Sequence, residues 1–336
     1  MSNSEKKIAI IGAGIAGAWL SSRLTREGFN VTVFDKSRGA GGRSSTRRID
    51  KVKVDHGAQF IEAVSPEFQS FLAQLEDREV VQEWNDYKLI SYDAELKKIT
   101  GDIFPGKDKL YVGVPGMNQI AKHLLFRANF INKKKITFVS SELEVFSEDE
   151  NLGKFDLVVC TAPPAQAGEL LSKFPIAQYF SRIKMKTHFA AILLSDKEYN
   201  FGFDGMNIEN SALNWIGINS AKPGRVKQPL SIVLHTNFKF ADASKSLSRE
   251  QILEIMLSEL ESITGFKDDN LKHLDLHRWL YARAFKPLEQ DYIWDEEHNI
   301  AVCGDWLLGD NIEAAWTSAD KLASAFILSQ SGKILS

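Results

Sequence analysis

The sequence contains little cysteine, little net charge and no long uninterrupted apolar segment. Only two cysteines, Cys160 and Cys303, occur among 336 residues. They exclude a disulfide-rich scaffold, and both lie in apolar runs typical of buried, inert thiols. The formal net charge of −3 gives no reason to expect a nucleic acid or an anionic membrane as partner. The scarcity and apolar setting of the cysteines are consistent with a reducing compartment.

The start of the chain superficially resembles a signal peptide, because Lys6 and Lys7 precede the apolar residues 8–20. This stretch is too short to span a bilayer, which needs about 20 apolar residues. It also carries three regularly placed glycines, which a strand, a turn and a helix explain better. We therefore expect a cytoplasmic protein without a membrane partner.

What is present is an ordinary globular composition. Hydrophobic residues make up 44% of the chain and charged residues 25%, which is enough apolar material for a sizeable core. The length fits roughly two domains of about 150 residues each. The pair Pro163-Pro164 breaks the chain near its middle, and we place a domain crossing there.

The beginning of the chain predicts a strand, a helix and a second strand. Lys7–Ile11 is a β-branched apolar run, Ile15–Arg26 has helical character, and Val31–Phe34 is again apolar. Gly28 lies where a helix C-cap would. Such a unit is right-handed and builds a parallel sheet.

A Gly-x-Gly-x-x-Gly turn joins the first predicted strand to the helix. Gly12 permits the tight turn, Gly14 lets a pyrophosphate approach the backbone, and Gly17 allows the helix to pack closely on the strand. Ile15 and Ala16 open the helix, whose N-terminal N–H groups attract negative charge. In this context the turn predicts a dinucleotide-binding Rossmann unit.

An acidic residue and a second glycine loop follow the turn. Asp35 ends the second strand and precedes Lys36, at a place where a carboxylate accepts hydrogen bonds from a ribose. The segment that starts at Asp35 ends in Gly41-Gly42-Arg43. The glycine pair lets this loop lie close to a cofactor, and Arg43 can neutralise phosphate charge.

Another acidic residue lies near the end of the chain. Gly304-Asp305 follows the apolar strand Ile300–Cys303 and precedes a helix that begins at about Ile312. In a flavoprotein, a carboxylate at the place of Asp305 can accept a hydrogen bond from a ribityl hydroxyl. The helix N-terminus can face a flavin edge on which negative charge grows during reduction. An ordinary loop aspartate is the alternative interpretation.

The rest of the chain predicts further strands and a capped helix. Ile136–Val139 and Leu157–Cys160 are expected to extend the Rossmann sheet. Ser248 and Gln251 form a capping-box pattern before an amphipathic helix that Gly265 ends. Strands are also predicted at 189–194, 213–219, 231–238 and 272–281.

Beyond the glycine turn, several motifs resemble the FAD-dependent flavin amine oxidase superfamily. The acidic residue followed by a Gly-Gly-Arg loop is an arrangement of that superfamily. Further stretches, in order along the chain, are similar to its renalase-like branch. They are Asp55–Phe60, Val112–Asn118, Ala212–Trp215, His277–Trp279 and Cys303–Trp306.

The resemblance implies an α/β fold, with a discontinuous Rossmann-type FAD-binding domain and an inserted mixed-sheet α+β substrate domain. The FAD-binding domain is expected at 1–62, 113–163 and 296–336, and the substrate domain at 63–112 and 164–295. FAD is expected to bind non-covalently. The residues implied in FAD contacts are Gly12, Gly14, Ile15, Ala16, Gly17, Asp35, Lys36, Gly42, Arg43, Gln59, Asp305 and Ile312.

No general-base signature stands out in the sequence. The residues predicted to line the substrate side are aromatic or carry an amide. The candidates are Gln59, Asn214, His235, Trp279 and Tyr281. On a strand, His277 shares one face with Trp279 and Tyr281, and this row is either a stacking wall for a flat ring or ordinary core. His273 and His277 would lie about 13 Å apart on that strand, so no metal site is predicted.

Two basic segments are open to interpretation. Lys222–Arg225, around Pro223-Gly224, is either a contact for a substrate phosphate or a solvated turn. Arg47 and Arg48 are expected to be solvated.

The resemblance implies an oxidase that takes hydride from misreduced dihydro-NAD(P) isomers. Dioxygen would accept the electrons, which yields NAD(P) and hydrogen peroxide. An amine oxidase or desaturase of the same superfamily is one alternative, and a flavin-binding redox module without its own substrate is another. An NAD-only dehydrogenase is disfavoured by the Gly-Gly-Arg loop and the C-terminal Gly-Asp pair.

Overall fold

The computed structural model describes residues 5–103 and 109–331 of the chain. The chain forms two compact units, each assembled from separate segments. One comprises Met1–Arg43, Asn118–Met185 and Arg283–Ser336, and the other comprises Ser44–Met117 and Lys186–Ala282.

These units differ from the predicted domains at their boundaries. Residues 44–62 and 113–117 group with the second unit, and residues 164–185 and 283–295 group with the first. The predicted segments also include residues 1–4, 104–108 and 332–336, which lie outside the described residues. Which segments bind the cofactor and which bind the substrate stays a prediction.

The described chain alternates short strands and helices. The strands are β1 (Lys7–Ile11), β2 (Asn30–Phe34), β3 (Thr46–Ile49), β4 (Val52–Asp55), β5 (Ile61–Glu62), β6 (Val81–Glu83), β7 (Leu89–Asp93), β8 (Lys98–Asp102), β9 (Leu110–Gly113), β10 (Asn129–Ile131), β11 (Phe138–Val139), β12 (Glu144–Ser147), β13 (Glu150–Lys154), β14 (Leu157–Cys160), β15 (Met185–Ser195), β16 (Gly205–Glu209), β17 (Leu213–Ile218), β18 (Leu230–Thr236), β19 (His273–Ala284), β20 (Ile293–Asp295) and β21 (Ile300–Val302). The helices are α1 (Ile15–Arg26), α2 (Pro66–Glu76), α3 (Gln119–Leu124), α4 (Pro164–Leu170), α5 (Phe238–Ala243), α6 (Arg249–Thr264), α7 (Asp305–Leu308) and α8 (Ile312–Ser331). In the described residues, 3₁₀ helices lie at Gly42–Ser44, Pro175–Arg182 and Asn219–Ala221.

The first unit is built on a six-stranded sheet in the order β10-β2-β1-β14-β21-β20. Its strands run parallel except β20, which pairs antiparallel with β21 at one edge. The strand–helix–strand prediction is confirmed by β1, α1 and β2. Strands of a parallel sheet are covered on both faces, which explains why β1, β2 and β14 are almost continuously apolar.

Helices α1 and α8 pack against each other in this unit. The rings of Trp19 and Trp316 lie 5.4 Å apart between centroids. Arg23 Nη1 pairs with Asp320 Oδ1 at 2.5 Å, and Trp19 Nε1 donates to the same oxygen at 3.0 Å. The first and last helices of the described chain therefore complete one unit together.

The prediction that Ile136–Val139 extends the Rossmann sheet is wrong. Phe138 and Val139 instead pair antiparallel with β12 in a separate three-stranded sheet of β11, β12 and β13. The place beside β2 is taken by β10, which runs parallel to it. An antiparallel partner needs only a short turn, whereas a parallel partner needs a crossover of roughly a dozen residues or more.

The second unit contains a seven-stranded sheet in the order β19-β15-β18-β17-β16-β7-β8. The strands predicted at 189–194, 213–219, 231–238 and 272–281 are β15, β17, β18 and β19. Helix α6 packs its apolar side on this sheet. The predicted capping box is confirmed, because the Ser248 side chain accepts from Gln251 N–H, and Gly265 ends the helix with φ 73°.

A hairpin of β3 and β4 in the second unit carries the segment Asp55–Gln59 at its end. Thr46 pairs with Asp55 across the hairpin. Val52 and Val54 pack on buried apolar side chains of β15 and β18. This packing fixes the place at which the Asp55–Gln59 segment leaves the hairpin.

Candidate functional site

The glycine turn of the first unit leaves open space at the N-terminus of α1. A Cβ on Gly12 would overlap Thr161, and a Cβ on Gly17 would overlap the carbonyl of Gly12. At Gly14, by contrast, a Cβ would meet no described atom within 4 Å apart from its chain neighbours. No side chain caps α1, so its first N–H groups can receive an anion.

Asp35 braces this turn from the end of β2. Its Oδ2 accepts from the Ala13 N–H at 2.7 Å, and its Oδ1 accepts from the Ser37 N–H at 2.7 Å. Each carboxylate oxygen carries a further lone pair, so both can also accept from a ribose hydroxyl. The adjacent Lys36 is exposed.

The Gly-Gly-Arg loop lies beside the glycine turn. Gly42 has φ +53°, and a Cβ there would lie 3.2 Å from Gly14 Cα. Arg43 forms a bidentate pair with Asp305, in which Nη1 donates to Oδ2 at 2.7 Å and Nη2 donates to Oδ1. Separate cofactor contacts were expected for these two side chains, and the structure joins them in one ion pair. Ile312 is the first residue of α8.

The second unit contains a group of aromatic side chains that we call the His–Trp cluster, made of His56, His188, His235, His277 and Trp279. The His56 ring stacks on Trp279 at 5.2 Å between centroids and meets His277 edge-on at 4.9 Å. The ring of His188 lies 4.7 Å from that of His235. The His56 carbonyl accepts from Trp279 Nε1 at 3.0 Å and from His235 Nε2 at 3.2 Å. The predicted candidates His235 and Trp279 therefore meet at His56.

His56 and His277 are neutral near pH 7. Burial, followed by the neighbouring His277 and Arg47, lowers the pKa of His56 to about 3. Burial, followed by Arg47, also lowers the pKa of His277 below its usual value. His56 Nδ1 is buried and has no hydrogen-bond partner in the described part of the chain. Because His277 and Trp279 are only half-buried, these two side chains, which contact the His56 ring, offer an uncharged aromatic surface.

Asp55, Gln59, Lys222 and Arg225 form a buried ionic cluster in the second unit. Asp55 Oδ2 accepts from Arg225 Nη2 at 2.6 Å and lies 3.5 Å from Lys222 Nζ. Lys222 Nζ also donates to Gln59 Oε1 at 3.1 Å. The side chains of Lys222 and Arg225 are each 1% exposed. The expectation of a solvated turn or phosphate contact here is wrong, because Asp55 holds both cations in the interior.

The Asp55 carboxylate is saturated with hydrogen bonds. Its Oδ1 accepts from Thr46 Oγ1 at 2.7 Å and from the Met117 N–H at 2.9 Å. Burial acts to raise the pKa of Asp55, yet the charges of Lys222 and Arg225 hold it below its usual value. Gln59 Nε2 donates to the carbonyls of Asp55 at 2.7 Å and Gly57 at 3.0 Å, so this amide fixes the turn that carries His56.

The free energy of unfolding should rise with pH in the alkaline range because of Lys222. Burial lowers the pKa of Lys222 from 10.5 to about 8. Between these values the unfolded chain retains a proton that the folded chain has released. Stability therefore increases with pH, by up to about 1.4 kcal/mol per pH unit. Urea unfolding from pH 8 to 10.5 should give a steeper rise for the wild type than for Lys222→Met, and equal slopes would contradict the burial of this amine.

The remaining predicted side chains lie on neighbouring strands of the same sheet. With its amide oriented to satisfy both neighbours, Asn214 donates to Thr236 O at 3.0 Å and His235 O at 3.2 Å. Asn214 thus braces the strand of His235. Tyr281 is half-buried on β19, two residues beyond Trp279.

Sequence reasoning missed His56 as the centre of the cluster. The available signal was an acidic residue and a histidine at a strand end, followed directly by glycine. It also missed Arg225 as a buried cation, for which no local signal exists.

Other reactive groups are excluded by their surroundings. Within residues 5–103 and 109–331, no three His, Cys, Asp or Glu side chains are arranged to hold a metal ion. Burial raises the pKa of Cys160 to about 12 and that of Cys303 well above its usual value, so neither thiol is a ready nucleophile.

Among the described helices, none combines the length and apolar character needed to cross a bilayer.

Comparison with protein families matches two stretches of the chain. A family model described as flavin containing amine oxidoreductase matches residues 131–325, which is more than half of the chain. A model described as an NAD(P)-binding Rossmann-like domain matches residues 10–75. The second match contains the glycine turn, Asp35 and the Gly-Gly-Arg loop.

Individual relatives differ widely in their described activities. A zeta-carotene-forming phytoene desaturase of Myxococcus xanthus is 32% identical over 79 residues, which is 23% of this chain and 15% of the desaturase. Among solved structures, a CLA-producing fatty acid isomerase from P. acnes has a TM-score of 0.72 at 13% identity, with 96% of this chain and 99% of the isomerase covered. A putrescine oxidase variant has a TM-score of 0.70 at 13% identity, with 96% and 99% covered. The two structures share the fold of this chain.

Proposed function

We propose that this chain, which belongs to the flavin-containing amine oxidoreductase family, oxidises misreduced dihydro-NAD(P) isomers, as the renalase-like enzymes that its motifs resemble do. It is an FAD-dependent oxidoreductase with non-covalently bound FAD. When bound, FAD supplies two-electron oxidation of the substrate. In the proposed net reaction the dihydronicotinamide ring loses a hydride, which converts the misreduced isomer into NAD(P). Dioxygen gains that hydride and one proton, which gives hydrogen peroxide.

The residues of the first unit fit FAD. The open space beside Gly14 suits a pyrophosphate at the uncapped N-terminus of α1. Asp35 keeps lone pairs for a ribose while it braces the turn. In this proposal the FAD-holding residues of the unit are Gly12, Gly14, Ile15, Ala16, Gly17, Asp35, Lys36, Gly42, Arg43, Asp305 and Ile312.

The observation that carries the substrate proposal is the uncharged aromatic surface that His277 and Trp279 form beside His56. His56 stacks on Trp279, and Trp279 and His277 remain half-buried. A flat nicotinamide ring gains free energy by stacking on such side chains. A dihydropyridine gives up hydride without a protein base, so the low basicity of His56 is compatible with this substrate.

Anaerobic mixing of the purified protein with borohydride-generated dihydro-NAD isomers tests the proposal. We expect the flavin absorbance to bleach, and to return with formation of hydrogen peroxide when air is admitted. Trp279→Leu removes the stacking surface and should lower kcat/KM about 10-fold without loss of FAD. A flavin that stays oxidised with every dihydro-NAD isomer would discard this substrate class.

Oxidation of an amine or desaturation of a polyene is the second candidate. It is favoured by the curated relative described as a phytoene desaturase and by the fold neighbour described as a putrescine oxidase. Bleaching by amines or polyenes, without bleaching by dihydronicotinamides, would select it. FAD binding without reduction by any of these donors would instead indicate a redox module without its own substrate.

A further inference from the structure

Two arginines share a single carboxylate beside the His–Trp cluster. Asp275 Oδ2 lies 3.4 Å from Arg47 Nη2, and Asp275 Oδ1 accepts from Arg249 Nη2. Asp275 stands two residues before His277 on β19, so both side chains lie on the same face of the strand. Two cations against one anion give this group a net positive charge.

Arg47 is incompletely satisfied by its neighbours. Its contact with Asp275 is long for a charge-assisted hydrogen bond, which is typically about 2.7–2.9 Å. Its Nε is buried and has no hydrogen-bond partner among the residues described. A guanidinium presents five N–H donors, so Asp275 satisfies only part of the hydrogen-bonding capacity of Arg47.

The charge of Arg47 acts directly on the aromatic cluster. Burial is the main cause of the lowered pKa of His56 and of His277, and Arg47 contributes to both. His56 Nδ1 is a second buried polar atom without a partner among the described residues. The second unit therefore combines the positive charge and unpaired Nε of Arg47 with the aromatic surface of the His–Trp cluster.

We propose that Arg47, supported by Arg249, is a subsite for the phosphate of a substrate whose flat ring stacks on the His–Trp cluster. This inference rests on the proposed function and deepens it, because it names a planar, anionic substrate. The Arg47 side chain is 34% exposed, so a phosphate can accept from its terminal Nη groups in the bidentate geometry that guanidinium groups favour. A protonated amine would meet the same positive charge and be repelled.

Two substrates that differ only by a phosphate test this subsite. Isomers of dihydronicotinamide mononucleotide and dihydronicotinamide riboside carry the same ring. Arg47→Gln should raise KM for the mononucleotide about 10- to 100-fold with little change in kcat, and should leave the riboside within about twofold. An equal loss with both substrates would show a structural role for Arg47 and overturn the proposal.

Matched variants separate charge from packing. Arg48→Gln removes an exposed arginine one position further along β3 and should leave KM for both substrates unchanged. Arg47→Lys keeps the charge without the planar fork and should recover part of the mononucleotide preference. Arg47→Gln should also bind benzylamine, a flat ring with a protonated amine, more tightly than the wild type. A general loss of structure would instead weaken it.

Direct binding gives an answer that does not depend on turnover. Calorimetry should show that the wild type binds nicotinamide mononucleotide at least about 10-fold more tightly than nicotinamide riboside. Arg47→Gln should abolish this difference. Equal affinity of the wild type for both would overturn the subsite even if dihydro isomers are oxidised. A preference for the mononucleotide without oxidation of any dihydro isomer would refute the proposed function and leave the subsite in place.

Discussion

Asp55→Asn should lower the free energy of unfolding by about 3–5 kcal/mol. Asp55 is the carboxylate that accepts from Arg225 and faces Lys222, and both cations are buried. Removing its charge leaves two buried cations without an anion, which is far more costly than the loss of one hydrogen bond. Urea unfolding at pH 7 measures the effect.

Two variants control this experiment. Asp156 is exposed and accepts only from the Lys7 backbone among the contacts described, so Asp156→Asn should cost less than about 1 kcal/mol. Adding Lys222→Met to Asp55→Asn removes one of the unpaired cations and should recover part of the lost stability. A loss below about 1 kcal/mol for Asp55→Asn would mean that Asp55 does not hold the cluster together.

Gly14→Val should weaken FAD binding about 100-fold while the protein stays folded. No described atom beyond the chain neighbours of Gly14 lies within 4 Å of the place where its Cβ would be, so the fold can accept the side chain. The valine would occupy the space through which a pyrophosphate reaches α1. The lost hydrogen bonds to the charged pyrophosphate are worth about 1.5–3 kcal/mol, which corresponds to FAD binding about 10- to 100-fold weaker. Because the valine also blocks the pyrophosphate sterically, we expect the larger of these two losses of affinity.

The comparison with other glycines separates binding from folding. Gly101 is equally unobstructed but lies on β8 in the second unit, so Gly101→Val should leave FAD affinity unchanged. Gly17→Val places a side chain against the carbonyl of Gly12 and should unfold the unit. Flavin fluorescence titration and circular dichroism distinguish the three variants. Retention of wild-type affinity by Gly14→Val would contradict the proposed position of the pyrophosphate beside Gly14.

The fold features that sequence predicted best depend on neighbouring residues. The run Lys7–Ile11, the glycine turn and Ile15–Arg26 lie next to one another, and the structure reproduces them. The Ser248–Gln251 capping box is likewise a contact across one helical turn. Ile136–Val139 was assigned to the wrong sheet because an apolar tetrapeptide does not specify its partner, which lies in β12.

In the candidate site, too, the sequence did not reveal which residues meet when they lie far apart along the chain. His235 and Trp279 were singled out separately, but their common partner His56 is 179 and 223 positions away along the chain. Around Lys222 the local Pro-Gly composition is typical of a solvated turn. Burial of that turn depends on Asp55, 167 positions earlier, which no local pattern reveals.

Because α1 packs on α8, α1 must wait for its packing partner until nearly the whole chain has been synthesised. Arg23 and its partner Asp320 are 297 positions apart. At about 5–20 residues per second, α1 emerges from the ribosome about 15–60 s before α8 exists. During that interval Trp19 and the side of α1 that packs on α8 lack their final cover. A chain truncated before Ile312 would keep that surface uncovered permanently and should aggregate.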